Sequence, residues 1–178
     1  MLEGIVRESI GKKATKAYRK DGYLIANIYG KGIENINAAF KMNEYIRAVR
    51  KKETIAFPVN VGGKEMNVAV QSYESQAVTG TLLHVDLMVA QPGVATTFNI
   101  PVIPVGEAIG LKNKGLVHMA KPRLTVKCTP ENLPNTIEVD VTEMDTGDSK
   151  MVRDLPEIPN VTVLDASRVA LISIIKAK

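Results

Sequence analysis

The chain has 178 residues, of which 45% are apolar and 24% charged, so it can bury a core and does not have a disordered composition. Its single cysteine, Cys128, excludes an intramolecular disulfide and a cysteine-cluster zinc site, and fits a reducing compartment. The longest apolar run is far shorter than the roughly 18 residues of a membrane span. The first twenty residues lack the apolar segment of a secretory signal. We therefore expect a cytoplasmic protein without membrane contact.

Positive charge is concentrated near the start of the chain. The whole sequence has 23 basic and 19 acidic residues, a net charge of +4, whereas residues 1–52 alone have 12 basic and 5 acidic residues, a net charge of +7. Six basic residues and one acid lie between Arg7 and Lys20. Such a local excess indicates a polyanionic partner. The alternative is an ordinary solvated helix face.

A short basic helix is predicted in the segment GKKATKAYRKDG, residues 11–22. Ala14, Ala17 and Tyr18 have the spacing of one helix face. Lys12, Lys16 and Arg19 have the spacing i, i+4 and i+7, so a helix here carries these cations along one side. Asp21-Gly22 is a stop signal.

The other elements of the first half alternate between short strands and one more helix. The patterns predict strands at 4–8, 23–30, 54–61, 66–71 and 80–89, a helix at 43–52, and a hairpin turn at Val61-Gly62-Gly63-Lys64. Two interpretations remain open for the basic tail Arg50-Lys51-Lys52 of that helix: complementation of the helix dipole, and a second contact with the polyanionic partner.

The second half reads as one strand after another. The patterns predict strands near 97–105, 124–129, 137–142, 161–164 and 169–175. Pro101 and Pro104 indicate that the first of these is an edge or bent strand. Ala90-Gln91-Pro92-Gly93 is the predicted boundary between domains 1–90 and 91–178. The fold class is therefore mainly β (α+β), with a mixed β-rich N-terminal domain and a mostly β C-terminal domain.

Catalytic and cofactor motifs are not found in the sequence. Gly4 and Gly11-Lys12 do not have the spacing of a phosphate-binding loop, and no Gly-x-Ser-x-Gly elbow is present. The two histidines, His84 and His118, are 34 residues apart, which does not fit a usual metal site. We expect no enzyme activity, no cofactor and no bound metal.

One group of residues, His84-Val85-Asp86, carries side chains that can take part in recognition or catalysis. Residues i and i+2 of a strand share a face, so His84 and Asp86 present a donor and an acceptor side by side. They can form an ordinary polar outer face, or they can recognise a nucleic-acid base edge or sugar hydroxyl. A hydrolase that uses the pair is a third hypothesis, and it predicts a pocket around His84.

The order of these motifs resembles a known family. The matching pieces are Arg7, GKKATKAYRKDG, IANIYG, VGGKEMNVAVQ, LLHVDLMV, PVIPVGEAIGLKNKG and LTVKCTPENLPNTIEVDVTEM. In this order they resemble the 5S-rRNA-binding protein of the bacterial large ribosomal subunit, in its long two-domain form (general stress protein CTC family), over nearly the whole chain. The sequence departs from the family pattern at Gln71-Ser72-Tyr73-Glu74 and lacks the usual proline before the Tyr-Gly pair.

The resemblance implies a fold, a partner and a set of contact residues. It implies that the N-terminal domain is a small β-barrel with short helices that binds loop E of 5S rRNA through the minor groove. Arg7 and Arg19 match arginines that meet the RNA backbone. The RNA-binding residues implied by the match are Arg7, Lys12, Lys16, Arg19, Tyr29, Gln71, His84 and Asp86.

The resemblance also implies a ribosome-associated structural protein. Its C-terminal domain is charge-neutral and is expected to pack against neighbouring ribosomal proteins or ribosomal surface. The competing hypothesis is a protein-interaction or stress-response module whose basic face is merely solvated.

Overall fold

Two compact units make up the chain. The computed structural model describes residues 1–52 and 54–176. Contacts within the chain divide it into the units Met1–Val94 and Ala95–Lys178. Among the described residues, no helix is long and apolar enough to cross a membrane.

The first unit is a six-stranded β-barrel with two helices. Its elements are β1 (Leu2–Val6), α1 (Lys12–Lys20), β2 (Tyr23–Gly30), β3 (Ile33–Lys41), α2 (Met42–Lys51), β4 (Ala56–Val61), β5 (Lys64–Ser75) and β6 (Leu82–Val89). The strands close in the order β1-β3-β2-β6-β5-β4. This confirms the predicted barrel with short helices.

Closure depends on two parallel pairings. β1 pairs parallel with β4, and β2 pairs parallel with β6, whereas the remaining neighbours are antiparallel. Each strand of the ring is therefore paired on both sides, which leaves no open sheet edge. The wall of the barrel then presents outward side chains in a fixed order.

Alternate residues of every strand fill the barrel. The buried core contains aliphatic side chains together with Phe40, Tyr45 and Phe57. Tyr45 comes from α2, and its ring centroid lies 6.3 Å from that of Phe40. Met42, Ile46 and Val49 of α2 pack against the same core, so this helix is held by its apolar side.

One strand of the barrel, β3, was not predicted. The patterns elsewhere in this unit are confirmed, with ends shifted by a few residues. In β3, Ile33 and Ile36 are three residues apart, which breaks the period of two. The register explains this spacing, because Ile36 pairs with Ile28 while Ile33 pairs with Gly30, so β3 has one additional residue in between.

The second unit contains two small sheets. Its elements are β7 (Thr96–Val105), α3 (Ile109–Lys112), β8 (Gly115–Met119), β9 (Arg123–Cys128), β10 (Ile137–Asp140), β11 (Ser149–Met151), β12 (Thr162–Val163) and β13 (Ala170–Lys176), with 3₁₀ turns at Pro130–Asn132 and Val152–Asp154. The sheet orders are β10-β7-β9-β12 and β11-β13-β8. The mostly β prediction is confirmed, although α3, β8 and β11 were not predicted.

The two prolines of β7 are explained by a change of partner. Thr96–Pro101 pairs antiparallel with β9, and Val102–Val105 pairs parallel with β10. β7 therefore lies inside the sheet order, but each of its halves pairs on one side only, as an edge strand does. A residue without an N–H is tolerated here because each half of β7 pairs with a different strand.

We predict that Gly4→Ala destabilises the barrel. A Cβ at Gly4 would overlap with Cε1 of Phe40, whose ring is fully buried. Overpacking of this kind costs about 1–3 kcal/mol. Urea denaturation of the full chain, followed by NMR signals of the barrel, measures the loss. Gly11→Ala is the matched control, because nothing lies within 4 Å of its Cβ position. Equal midpoints for the two variants would contradict the prediction.

We predict that Asp165 stabilises the second unit in a pH-dependent manner. Burial alone raises its pKa, but hydrogen bonds from Lys121 Nζ and from the Thr125 N–H (2.8 Å), with the charge of Lys121, outweigh burial and lower the pKa. The stabilisation is therefore present above the ordinary carboxyl pKa of about 3.9 and is lost as the pH falls through the lower folded-state value.

Asp165→Asn tests this prediction. We expect a loss of about 1.5–3 kcal/mol at pH 7 and a smaller difference from the unsubstituted chain near pH 3. Urea denaturation at both pH values, followed by NMR signals of the second unit, measures it. The exposed Glu131→Gln controls for the change in net charge. A difference that does not shrink at low pH would show that the ionised carboxylate is not responsible.

Candidate nucleic-acid interface

Helix α1 carries an exposed row of cations. Its N-cap is Gly11, and it ends where the N–H groups of Asp21 and Gly22 donate to the carbonyls of Ala17 and Arg19. Gly22 has a φ of +81°, which favours glycine at this position. The exposed cations are Lys12, Lys13, Lys16, Arg19 and Lys20. Ala14, Thr15 and Tyr18 are half-buried, whereas Ala17 is exposed, so the contact face differs slightly from the predicted one.

Arg7 fixes α1 to the barrel and is only 5% exposed. Its Nη2 donates hydrogen bonds to Thr15 Oγ1 at 2.8 Å and to the Ser9 carbonyl at 3.4 Å. Its guanidinium also lies 5.6 Å from the centroid of the Tyr18 ring. Cation–π contact and hydrogen bonding together fix a helix that buries little apolar surface of its own. A buried guanidinium offers little surface to a phosphate, so the geometry favours a positioning role for Arg7.

Arg19 joins the helix to the strand that carries His84. Its Nε and Nη2 donate to the carbonyl of Leu83 at 3.2 and 3.0 Å. Leu83 is available because Ser75 pairs with Leu82 while Glu74 pairs with His84, which leaves Leu83 as an additional residue on β6. The exposed end of α1 is thereby fixed next to His84.

His84 and Asp86 lie on the outer wall of the barrel. They alternate with Val85 and Leu87, which are fully buried in the core. Their side chains are 29% and 32% exposed, and His84 Nδ1 lies 3.6 Å from Asp86 Oδ1. This distance is within ion-pair reach but longer than a direct hydrogen bond. The predicted common face is confirmed.

A β-bulge at Gln71 supplies a further polar group. Val70 pairs with Leu87 and Ser72 with Asp86, so Gln71 is an additional residue on β5. The bulge reverses the inside–outside alternation and turns Ser72 outward. There the Ser72 hydroxyl donates a short hydrogen bond to Oδ2 of Asp86. Gln71 itself is half-buried on this neighbouring strand.

Tyr29 belongs to the same wall. The parallel register of β2 and β6 sets Asn27 beside Asp86, and Tyr29 beside Met88. Burial, and secondarily the negative charge of Asp86, raise the pKa of the Tyr29 hydroxyl above its ordinary value. Tyr29 therefore stays protonated at neutral pH and keeps its ability to donate a hydrogen bond.

The structure brings most of the sequence-predicted residues onto one wall. Arg19, Tyr29, His84 and Asp86 are linked through β2, β6 and the C-terminal end of α1, whereas Arg7 is buried beneath the helix. Lys12 and Lys16 lie on the exposed side of α1, and Gln71 lies on the neighbouring β5.

Sequence reasoning missed Ser72 and the carbonyl of Leu83. The break in apolar alternation after Val70 is a signal for the first. The second has no side-chain signal, because a backbone carbonyl is common to every residue.

The arrangement does not favour nucleophilic catalysis. A serine nucleophile must hydrogen-bond to its histidine base. Here the hydroxyl of Ser72 bonds to Asp86 instead of His84. In the described parts of the chain, no group of three or more His, Cys, Asp or Glu side chains could hold a metal ion.

Comparison with known proteins covers both units. Residues 2–87 match the model of the ribosomal L25p family, and residues 95–178 match that of the ribosomal protein TL5 C-terminal domain. The chain is 68% identical to "Large ribosomal subunit protein bL25" of Sulfurimonas denitrificans, and 60% and 54% identical to the proteins of that name in Wolinella succinogenes and Helicobacter hepaticus. Each comparison covers 100% of both chains.

A barrel with a basic helix, followed by a second β unit, therefore defines a ribosomal protein of the two-domain class. The chain belongs to the ribosomal L25p family, in the long form that carries a TL5 C-terminal domain. This confirms the family resemblance of the sequence motifs. Because the family consists of structural ribosomal proteins, it also confirms that the chain is not an enzyme.

We predict that Arg7→Ala loosens α1 without unfolding the barrel. Loss of the buried hydrogen bond to Thr15 and of the contact with Tyr18 costs about 1–3 kcal/mol locally. Amide hydrogen exchange in α1 should accelerate, while exchange in β5 should not change. Thr15→Val, which removes the acceptor at similar volume, should act in the same direction.

Lys12→Ala is the control for this experiment, because Lys12 is exposed on the same helix. Equal exchange rates in α1 for Arg7→Ala and Lys12→Ala would show that Arg7 does not hold the helix.

Proposed function

We propose that this chain is a structural component of the large ribosomal subunit that binds 5S rRNA, at its loop E region, through the outer wall of the barrel. The observation that carries the proposal is the hydrogen bonding of Arg19 to the Leu83 carbonyl. It joins the cationic helix to His84 and Asp86, which we call the polar cluster on β6. The printed name of the relatives, large ribosomal subunit protein, supports the subunit assignment. The chain then works in the cytoplasm, associated with the ribosome.

The cations of α1 serve the RNA backbone. Lys12, Lys16 and Arg19 recur at i, i+4 and i+7 on the exposed side of the helix, which suits a row of phosphates. Arg19 uses Nε and one proton of Nη2 for the Leu83 carbonyl. A guanidinium has five N–H donors, so others remain for a phosphate.

The polar cluster on β6 serves the groove. The carboxylate of Asp86 repels phosphates but accepts hydrogen bonds from sugar hydroxyls and base amino groups. The hydrogen bond from Ser72 holds this carboxylate and fixes its direction before RNA arrives, and His84 lies beside it. Tyr29, protonated at neutral pH, supplies a donor on the same wall. Duplex RNA exposes its sugar hydroxyls and base edges in the wide minor groove, which supports binding from that side.

The two units have different tasks in this proposal. Residues 1–90 form the RNA-binding domain, and residues 91–178 form a domain that packs against neighbouring ribosomal proteins. Exposed apolar side chains support a protein contact for the second domain, for example Ile109, Leu111 and Leu116.

We predict that two classes of variant differ in salt dependence. Binding of the full chain to 5S rRNA is measured by filter retention over a series of salt concentrations. Lys12→Ala combined with Lys16→Ala should reduce the slope of log affinity against log salt by about 1.8, from 0.9 per phosphate contact. Asp86→Asn should cost about 1–3 kcal/mol at every salt concentration and leave the slope unchanged.

Two controls make this measurement decisive. Lys112→Ala with Lys114→Ala removes the same charge from exposed positions of the second unit and should change neither quantity. A 5S rRNA whose loop E is replaced by Watson–Crick pairs should bind weakly. If the α1 variant bound as tightly as the unsubstituted chain, with the same slope, the basic face would be merely solvated and the proposal would fail.

A further inference from the structure

A second cationic surface lies on α2, next to a different strand junction from the proposed 5S rRNA face. In the closed order β1-β3-β2-β6-β5-β4, the junction of β1 with β4 is diametrically opposite the junction of β2 with β6. Leu2 of β1 and Phe57 of β4, which line a groove beside α2, lie at the first junction, whereas Tyr29, His84 and Asp86 lie at the second. The α2 groove and the proposed 5S rRNA face therefore border different strand junctions.

A groove lies beside α2. It has a volume of about 450 Å³ and lies between α2 and the first residues of β1 and β4. Its lining includes the apolar residues Leu2, Ala48 and Phe57 and the cations Arg47 and Lys51. One acid, Glu44, also lines the groove, and it pairs with Lys41. Its size is sufficient for an unpaired nucleobase, and the cations are placed to meet the phosphates on either side of that base.

Among the described residues, the exposed cations of α2 have no acidic partner. Arg47, Arg50 and Lys51 are exposed, and within the described residues none of them has an acidic partner within ion-pair distance. Glu44, the acid of this helix, pairs instead with Lys41 at 3.7 Å. Complementation of the helix dipole accounts for cations in the last turn. The helix dipole does not account for Arg47, which lines the groove one turn before Lys51.

We propose that this α2 surface, formed by Arg47, Arg50, Lys51 and the groove, binds a second RNA segment that is single-stranded or bulged. The N-terminal unit then bridges two RNA segments, one at the junction of β2 with β6 and one at α2. A guanidinium binds phosphates and carboxylates alike with two hydrogen bonds, so the bidentate bond itself does not choose the partner. The groove beside Arg47 favours RNA, because it has room for a base and a guanidinium can stack on that base. The surface is separate from the proposed 5S rRNA face and does not depend on it.

The test uses the full-length chain and a fluorescein-labelled oligouridylate of twelve nucleotides. Fluorescence anisotropy measures its binding to the chain alone and to the chain saturated with unlabelled 5S rRNA. We expect binding in both cases. Arg47→Gln combined with Lys51→Gln should weaken oligouridylate binding roughly tenfold and lower its salt slope by about 1.4, from 0.7 per contact for single strands. The affinity for 5S rRNA should not change.

Matched variants separate the two surfaces. Lys112→Gln with Lys114→Gln gives the same change of net charge in the second unit and should not affect oligouridylate binding. Lys12→Gln with Lys16→Gln should weaken 5S rRNA and leave the oligouridylate bound. Circular dichroism checks that each variant keeps its helices, and Arg50→Gln provides a milder substitution at the same surface with the same expected direction.

Three results would overturn the inference. Displacement of the oligouridylate by 5S rRNA would indicate one shared surface. Loss of oligouridylate binding in the α1 variant but not in the α2 variant would assign that binding to the proposed 5S rRNA face. Equal competition by polyglutamate would indicate an acidic protein segment rather than RNA. Failure of the 5S rRNA proposal is read separately, from the response of 5S rRNA binding to the α1 variant.

Discussion

The parallel pairing of β2 with β6 is the constraint on which the candidate interface depends. It closes the ring together with the pairing of β1 and β4, and it sets Asn27 and Tyr29 beside Asp86 and Met88. Because side chains alternate across a strand, this register decides which polar groups share the outer wall. A shift of one residue would bury Asp86 and expose Val85. The core packing of Val85 and Leu87 excludes that shift, so the apolar interior also positions the polar exterior.

Two β-bulges refine what the register provides. The bulge at Gln71 turns Ser72 outward, where its hydroxyl holds Asp86, and the additional residue at Leu83 leaves a carbonyl that Arg19 reaches. Both irregularities lie on strands that border the polar cluster. A regular ladder would have supplied neither contact, because Ser72 would point inward and the Leu83 carbonyl would lie in register. Departures from ideal sheet geometry thus create the links between α1, β6 and β5.

The sequence predicted elements better than it predicted contacts. Helix α1, the His84–Asp86 face and the β-rich second half follow from period and spacing alone, and the barrel follows from the family resemblance. β3 was missed because an additional residue between Ile33 and Ile36 disturbs its alternation. The burial of Arg7 was missed because a basic residue in a basic segment resembles its neighbours. Its acceptor Thr15 and its aromatic partner Tyr18 are recognisable only after α1 is docked on the barrel. Registers and docking are tertiary properties, which local patterns do not determine.

The cations of α1 and the carboxylate of Asp86 must lie close together and yet remain separate. A phosphate beside Asp86 would be repelled, and a base edge beside Lys12 or Lys16 would gain little from a flexible ammonium. The structure keeps the cations on a helix that stands outside the wall and keeps the carboxylate on the wall itself, with Arg19 at the junction. RNA that follows this division must set its backbone along α1 and its groove over β6. In the proposed complex, the barrel therefore selects for the shape of an RNA helix rather than for charge alone, and buried Arg7 contributes through its hydrogen bond to Thr15 of the cationic helix.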